Sequence, residues 1–377
     1  MKAGMFQMDN CDVLIVGGGP AGSSCAWQLR RHGLDVVVMD KEDFPRDKVC
    51  AGWITPAVAD SLELDIDDYA RQHVLQPITA FRTGLIDGDS VQVRYPAVVS
   101  YGIRRYELDD YLLRRSEARL WSGQSLKTLK RCDGSWIIND AVSARLVIGA
   151  GGHFCPVARF MGAKLGADEH AIAAKEIEFE MSPLQSDTCK VSGDTPELYF
   201  CRDLKGYGWC FRKGNYLNIG LGREGSHGLS THLEHFCDFL TQLGRIPAHM
   251  SHRFHGHAYL LYGYAARKRV DDGLLLVGDA AGLACPQSGE GIRPAVESAL
   301  MAADTVLSAD MDYSKDRLSP YASRLAQRFG KEKPAAIGPL RQAISRTLLG
   351  STWFTRHVVL NRWFLHAHQK ALLPSRF

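Results

Sequence analysis

Apolar residues fall along this chain in short runs that end on glycine or aspartate. "CDVLIV" at 11–16, "DVVVMD" at 35–40, "LVIGAGG" at 146–152 and "GLLLVGDAAG" at 273–282 are β-branched or leucine-rich and lack polar alternation. That pattern predicts parallel strands buried on both faces. Between the first two runs, "SSCAWQLRRHG" reads as a helix ended by Gly33, and "IRPAVESALMAADTVL" at 292–307 reads as a second helix. A different rhythm holds in the middle. In "AAKEIEFEM", Ile177, Phe179 and Met181 alternate with Glu176, Glu178 and Glu180, which predicts a half-buried antiparallel strand with the glutamates on a solvated face. "LYFCRDLKGYGWCFRKGNYLNIGLG" continues as a meander turning at Lys213-Gly214-Asn215. Residues 71–99 are expected to add strands to the same sheet.

Composition leaves that picture unchanged and excludes several classes. The 377 residues, 45% hydrophobic and 23% charged, can bury a large core. Ahead of the first strand stands only "MKAGMFQMDN", without a secretory apolar region, and no run of about 18 apolar residues marks a membrane span; the expectation is a cytoplasmic protein. Ten cysteines occur without a CxxC pair, so neither a structural zinc site nor a disulfide framework is predicted, and no metal is expected. Nothing in the composition calls for nucleic acid. Charge is uneven: from Lys333 to Phe377 there are seven cations and no acid, so the remainder of a chain of net charge +3 carries −4.

The first glycine turn carries the clearest chemistry. Gly17, Gly19 and Gly22, with Pro20 and Ala21, lie between a strand and a helix. In such a turn the first glycine permits the bend, the second lets backbone approach a pyrophosphate, and the third lets helix and strand pack closely. Asp40 closes the second strand, where a carboxylate accepts from an adenosine ribose. This turn alone leaves NAD and FAD open. The late strand with Gly278 and Asp279 favours FAD, whose ribityl chain and ring system extend well past the pyrophosphate and bring Asp279 to a ribityl hydroxyl. Gly289 and Gly291 then precede Ile292 and a helix whose first-turn N–H groups favour the negative edge of a reduced flavin.

In this order, "GGGPAG", "FPRDKVCAG", "IRRYELDDYL", "GYGWCFRKGNYLNIGLG" and "GDAAGLACPQSGEGI" resemble the geranylgeranyl reductase family within the p-hydroxybenzoate-hydroxylase-like flavoproteins. The resemblance spans about residues 11–310. It implies an α/β fold: a Rossmann-like FAD-binding domain with an inserted antiparallel substrate domain and C-terminal helices. The segments are 9–70, 100–165 and 266–320 for FAD, 71–99 and 166–265 for substrate, and 321–377 for the helical region. It further implies FAD contacts from Gly17, Gly19, Pro20, Ala21, Gly22, Asp40, Lys41, Arg46, Cys50, Ala51, Arg105, Gly278, Asp279, Gly289, Gly291 and Ile292. Cys50 corresponds to the cysteine beside the flavin ring, preceded by Arg46 and Lys48. One departure stands out: Gly151 replaces the aspartate of the family's Asp-Gly motif, so the electron donor is either NAD(P)H or a reduced protein carrier.

The resemblance implies an FAD-dependent oxidoreductase that reduces C=C bonds of a prenyl lipid by hydride transfer from reduced flavin N5. Cys50 and Tyr207 are the candidate proton donors. Tyr207, Trp209 and Phe211 share one strand face, which either lines a substrate pocket or packs within the sheet. Two other readings keep the flavin: a monooxygenase (a hydroxylase before a halogenase, since no Trp-x-Trp-x-Ile-Pro segment occurs), or a redox-silent lipid-binding protein. In the tail, "STWFTRHVVLNRWFLHAHQKALL" interleaves Trp353, Phe354, Trp363 and Phe364 with Arg356, Arg362 and Lys370. That suits either a peripheral contact with a membrane surface or helices packed on the body.

Overall fold

Burial on both faces accounts for the strand composition of the first sheet. In the computed structural model, which describes residues 8–165, 169, 171–225, 227–247, 253–264, 267–330 and 348–375, Leu274–Leu276, Val142–Gly149, Asp9–Val16, Val36–Met39 and Arg119–Trp121 lie side by side as parallel strands of an eight-stranded sheet. Val142–Gly149 also carries an antiparallel hairpin of Leu129–Cys132 and Ser135–Ile138. Val13, Leu14 and Ile15 at the centre are fully buried, as parallel pairing beneath helices requires. The helices Pro20–Arg31 and Ile292–Ser308 pack on this sheet through Ala21, Cys25, Ala299 and Met301. Each runs away from the carboxyl end of a strand, and this puts both glycine turns at one edge.

A seven-stranded sheet follows the order His255–Leu260, Ala171–Glu180, Tyr216–Glu224, Gly206–Lys213, Glu197–Phe200, Ala80–Leu85, Ser90–Arg94. The turn at Gly214-Asn215 falls where the sequence places it. The expectation for 71–99 holds for two of its strands only. Leu75–Ile78 pairs instead with Ser100–Ile103 in a three-stranded sheet completed by Trp53–Ile54. One face of the large sheet is covered by the helix Leu229–Gln242, whose Leu229, Leu233, Phe236 and Leu240 form an apolar stripe against Ile177, Phe179, Leu217 and Ile219.

All ten cysteines are free, and six are buried. Among the described residues no helix is long and apolar enough to cross a membrane.

At Gly22 a Cβ would lie 1.8 Å from the carbonyl oxygen of Gly17, whereas at Gly33, with φ +83°, it would meet open space. Gly22→Ala is therefore expected to lower unfolding free energy in urea by at least about 3 kcal/mol, through displaced backbone. Gly33→Ala should cost only about 1–2 kcal/mol of left-handed strain. Equal effects of the two would refute the close-packing role of Gly22.

Candidate functional site

The amino-terminal turn is shaped for an anion. Gly17, at φ +113°, could carry no Cβ, which would lie 2.4 Å from Ala150 O, and its N–H donates to Met39 O at 2.7 Å. The helix Pro20–Arg31 starts at Gly19 with no side-chain cap and no acid in its first turn, so its orphan N–H groups and positive dipole end remain available. Asp40 binds the turn itself: its Oδ2 accepts from Gly18 N–H at 2.7 Å and its Oδ1 from Glu42 N–H at 3.0 Å. Arg46 reaches over Gly19, with Nη2 3.5 Å from the position a Cβ would take. Its Nη1 lies 3.2 Å from Asp109 Oδ2 but too bent for a hydrogen bond, leaving a buried donor unsatisfied. Within the helix Arg105–Arg115, Arg105 forks onto buried Asp109 at 2.6 and 2.7 Å, and its charge also reaches Cys50. An uncapped helix and an unsatisfied guanidinium N–H beside a glycine fit the phosphates of a dinucleotide.

The late turn meets the early one directly. At Gly278, φ +58°, a Cβ would lie 3.0 Å from Ala21 Cβ, and the Gly278 N–H is fixed by Ser298 Oγ at 2.9 Å. Arg267 holds the same turn through Ala280 O at 2.9 Å. Asp279 stands 3.7 Å from His257 Nε2, an electrostatic contact longer than a direct hydrogen bond, and His257 in turn meets Lys48 Nζ at 2.9 Å. Burial, reinforced by the Arg105 charge, lowers Lys48 to about 8 despite the pull of Asp279. Burial also lowers His257, reinforced by Lys48, against the attraction of Asp279. Burial would raise Asp279, but His257, Lys48 and Arg105 outweigh it and keep the carboxylate below its ordinary value. Gly291 heads the uncapped helix Ile292–Ser308, and a Cβ there would lie 3.3 Å from Asp279 Oδ1. At Gly289 the space a side chain would need belongs to Tyr259 Oη.

The strand Gly206–Lys213 supplies a wall. Tyr207 donates its hydroxyl to Ser288 O, Trp209 Nε1 donates to Asn218 Oδ1 at 2.7 Å, and Phe211 stacks on Trp53 at 4.9 Å. Asn218 then donates to Cys50 O at 3.1 Å and to Glu176 at 3.3 Å. Burial raises the Tyr207 hydroxyl well above its usual range, with Tyr259, Cys50, Glu290 and Cys285 adding to the effect. Cys50 and Tyr207, the two candidate proton donors, are linked to one strand pair, Cys50 through its backbone carbonyl on Asn218 and Tyr207 two positions before Trp209.

The acidic strand corrects the sequence reading. Its alternation is real, but Glu176 is buried and Glu178 half-buried; only Glu180 is exposed. The face predicted to be solvated lies under the Cys50–Trp53 segment. Lys213, also buried, pairs with Glu178 at 2.7 Å, and Arg104 approaches the same carboxylate at 3.4 Å. Burial pushes Glu176 up to about 8, against contacts from Cys50 and Lys213.

The carboxyl-terminal segment closes the wall. After the helical turn Thr352–Phe354, the π-helical stretch Thr355–Phe364 buries Val359, Leu360 and Phe364 against Trp53, Phe81, Trp209 and Phe211. The Phe364 ring lies 5.4 Å from that of Tyr207. Trp353 remains 66% exposed. Of the tail cations, Lys333, Arg341, Arg346 and Arg376 lie outside the described residues.

Pro20, Ala21 and Ile292 sit in the first turns of the two helices, and Ala51 packs beside Trp53. Lys41 is apart from the rest, exposed and 3.8 Å from Glu42. His257 and Glu176 belong to the constellation but carry no local motif of their own, whereas Asn218 and Glu290 lie within the 206–222 and 278–292 stretches that carry the resemblance, without having been singled out there. For His257 and Glu176 the only sequence signal is a polar residue at an inward strand position, which becomes legible once the second sheet face is known to be covered. Two surface clefts of about 500 and about 750 Å³ open elsewhere, lined by Ala59, Leu64 and Leu373 and by Trp136, Arg145 and Tyr313; neither is lined by Cys50 or Asp279.

Two glycine turns meeting at the edge of a parallel sheet, beside an antiparallel sheet with an aromatic wall, define an FAD-dependent oxidoreductase. The family described as FAD dependent oxidoreductase matches residues 12–156. A menaquinone reductase of Mycobacterium tuberculosis is 30% identical over 350 residues, covering 86% of this chain and 81% of that one. Digeranylgeranylglycerophospholipid reductase 2 of Methanosphaera stadtmanae is 26% identical over 340 residues, covering 86% and 85%. The fold matches that of a geranylgeranyl bacteriochlorophyll reductase-like protein from Thermoplasma acidophilum with a TM-score of 0.72, at 22% identity over 91% of this chain and 88% of that one. It also matches a probable FAD-dependent monooxygenase from Pseudomonas aeruginosa, at 0.64 and 19% identity over 93% and 100%. The chain belongs to the geranylgeranyl reductase family of FAD-dependent oxidoreductases, and FAD is its cofactor.

The folded protein holds the Glu176 proton up to about pH 8, whereas the unfolded chain releases it near 4.5. The Glu176 contribution to folding stability is therefore expected to fall across that window as pH rises, while His257, lowered from 6.5, contributes in the opposite sense within it. Lys48, lowered to about 8 from 10.5, acts in the opposite sense only above it. Urea unfolding of wild type and Glu176→Gln between about pH 5 and 8 should show this decline reduced in the variant. Parallel pH profiles would rule the buried acid out.

Proposed function

We infer that this enzyme reduces carbon–carbon double bonds of a prenyl chain carried on a polar head. The observation that carries the reading is that Tyr207, bonded to Ser288 O in the loop between Asp279 and Gly291, belongs to an aromatic wall closed by Phe364 whose Trp209 is tied through Asn218 to the Cys50 backbone. Relatives named for reducing menaquinone and digeranylgeranylglycerophospholipid support it, since both molecules carry isoprenoid chains. A long apolar chain gains about 0.8 kcal/mol per buried CH₂, so an aromatic wall can hold it with few polar contacts.

On this reading the first turn of Pro20–Arg31, with Arg46, holds the pyrophosphate of FAD, and Asp40 the ribose. Asp279 takes a ribityl hydroxyl, while the N–H groups from Gly291 onward face the pyrimidine edge. Bound FAD supplies the reducing equivalents. The protein must then place one alkene, exclude water and deliver a proton to carbon. Tyr207, kept neutral by burial, and the Cys50 thiol are the two candidate donors. Trp209 acts through Asn218, which fixes the Cys50 backbone. Electrons enter from NAD(P)H or a reduced protein carrier. Peripheral contact with a lipid surface falls to the exposed Trp353 and Leu373.

Asp279→Ala is expected to weaken FAD binding by about 1.5–3 kcal/mol, roughly 10- to 150-fold in Kd, read by fluorescence titration of apoprotein. Retention of wild-type affinity would exclude the ribityl contact.

Under nitrogen, photoreduced enzyme should be reoxidised by geranylgeranyl lipid or menaquinone, with a mass gain of two hydrogens per bond. Cys50→Ala or Tyr207→Phe, whichever removes the donor, should slow this by roughly 10²- to 10⁴-fold. In the same assay with lipid held in vesicles, Trp353→Ala should raise KM and leave kcat. No reoxidation across a prenyl panel, or product formed only with O₂, would overturn the reductase reading.

A further inference from the structure

Cys285, Glu290 and His366 come together from two distant parts of the chain. The first two bracket the loop leading into the helix Ile292–Ser308, and the third follows the π-helical tail. The Cys285 sulfur, a Glu290 oxygen and an imidazole nitrogen of His366 all lie within 4.8 Å of one another. Glu290 is only 8% exposed, yet neither of its carboxylate oxygens has a hydrogen-bond partner, and neither does His366 Nε2. Burying such groups without partners is costly.

The geometry between them is specific. Glu290 Oε2 lies 3.1 Å from His366 Nε2, the separation of an ion pair, but the angle fails as a hydrogen bond. Two ligand atoms each about 2.0–2.1 Å from a shared tetrahedral zinc ion stand about 3.3 Å apart. A common cation therefore accounts for a close approach that a proton between the two atoms does not. The backbone is committed to this arrangement. The loop closes on itself through Cys285 N–H to Glu290 O at 2.9 Å and Gly289 N–H to Cys285 O at 2.8 Å, and His366 adopts a left-handed φ of +47°, strain of the kind found at functional sites.

We propose that Cys285, Glu290 and His366 bind one divalent transition-metal ion of the zinc class, with a fourth position open to water. Thiolate, imidazole and carboxylate together select zinc over magnesium or calcium. The ion fastens the carboxyl-terminal segment to the loop beside the Asp279 turn. This replaces the expectation from cysteine spacing that no metal binds: a site assembled from Cys285 and a histidine 81 positions later has no CxxC signature. Burial holds the Cys285 thiol protonated, well above its ordinary value, so binding must release its proton.

The test uses purified FAD-loaded protein dialysed against Zn²⁺ and then against metal-free buffer. One retained equivalent is expected, with X-ray absorption showing a single sulfur ligand among nitrogen and oxygen. Cys285→Ser should remove that sulfur, and His366→Ala should weaken retention by more than the roughly 10- to 100-fold that a merely supporting partner is worth. Wild-type protein without retained zinc, or a sulfur ligand that survives Cys285→Ser, would overturn the assignment. Metal content is read without substrate, so failure of the prenyl-reductase reading would leave this result standing.

Discussion

The contact between Ala21 and Gly278 is the constraint on which the rest depends. Two helices leave two strands of one sheet, and their first turns can face a single ligand only if the backbones approach to within the radius of a missing side chain. Gly278, packed between Ala21 and Ala295, provides that space, and Gly22 in the first helix lets that helix close on the Gly17 turn. The approach turns two separate uncapped helix ends into one electropositive edge. Arg46 and Lys48 extend it, and Asp109 and Asp279 balance it.

Against this edge the large sheet sets a face that is polar at its centre and aromatic around it. A buried carboxylate, amide and lysine would be a liability in an isolated sheet. Here each has a partner: Glu176 and Trp209 meet at Asn218, and Lys213 meets Glu178. Asn218 also grips the Cys50 backbone, so the network fastens the sheet to the segment carrying Cys50. That linkage explains why the polar residues occupy positions where apolar packing would have been simpler.

Of the two readings the tail's composition allowed, packing on the body is the one the described residues display. Val359, Leu360 and Phe364 spend the apolar side of the segment on the wall, so most of its aromatic character belongs to the interior. The cation Arg356 likewise lies along the body, over the Tyr95 ring and onto the Arg94 carbonyl. Packing on the body therefore dominates, leaving Trp353 as the main aromatic outside.

The sequence by itself determined the parallel strands, the two glycine turns, the cofactor class and the meander with its aromatic face, because each depends on short-range patterns: strand-length apolar runs, glycines at fixed offsets, alternation by two. It did not determine which way a polar face would look. Glu176 reads as solvated because alternation reports only that the two faces differ, and whether water or another segment covers the second face is settled more than a hundred residues away, at Cys50–Trp53. The same holds for His257 beside Asp279, for Leu75–Ile78 leaving the large sheet, and for Cys285 and Glu290 meeting His366. Such meetings arise from long-range packing, and no local periodicity records them.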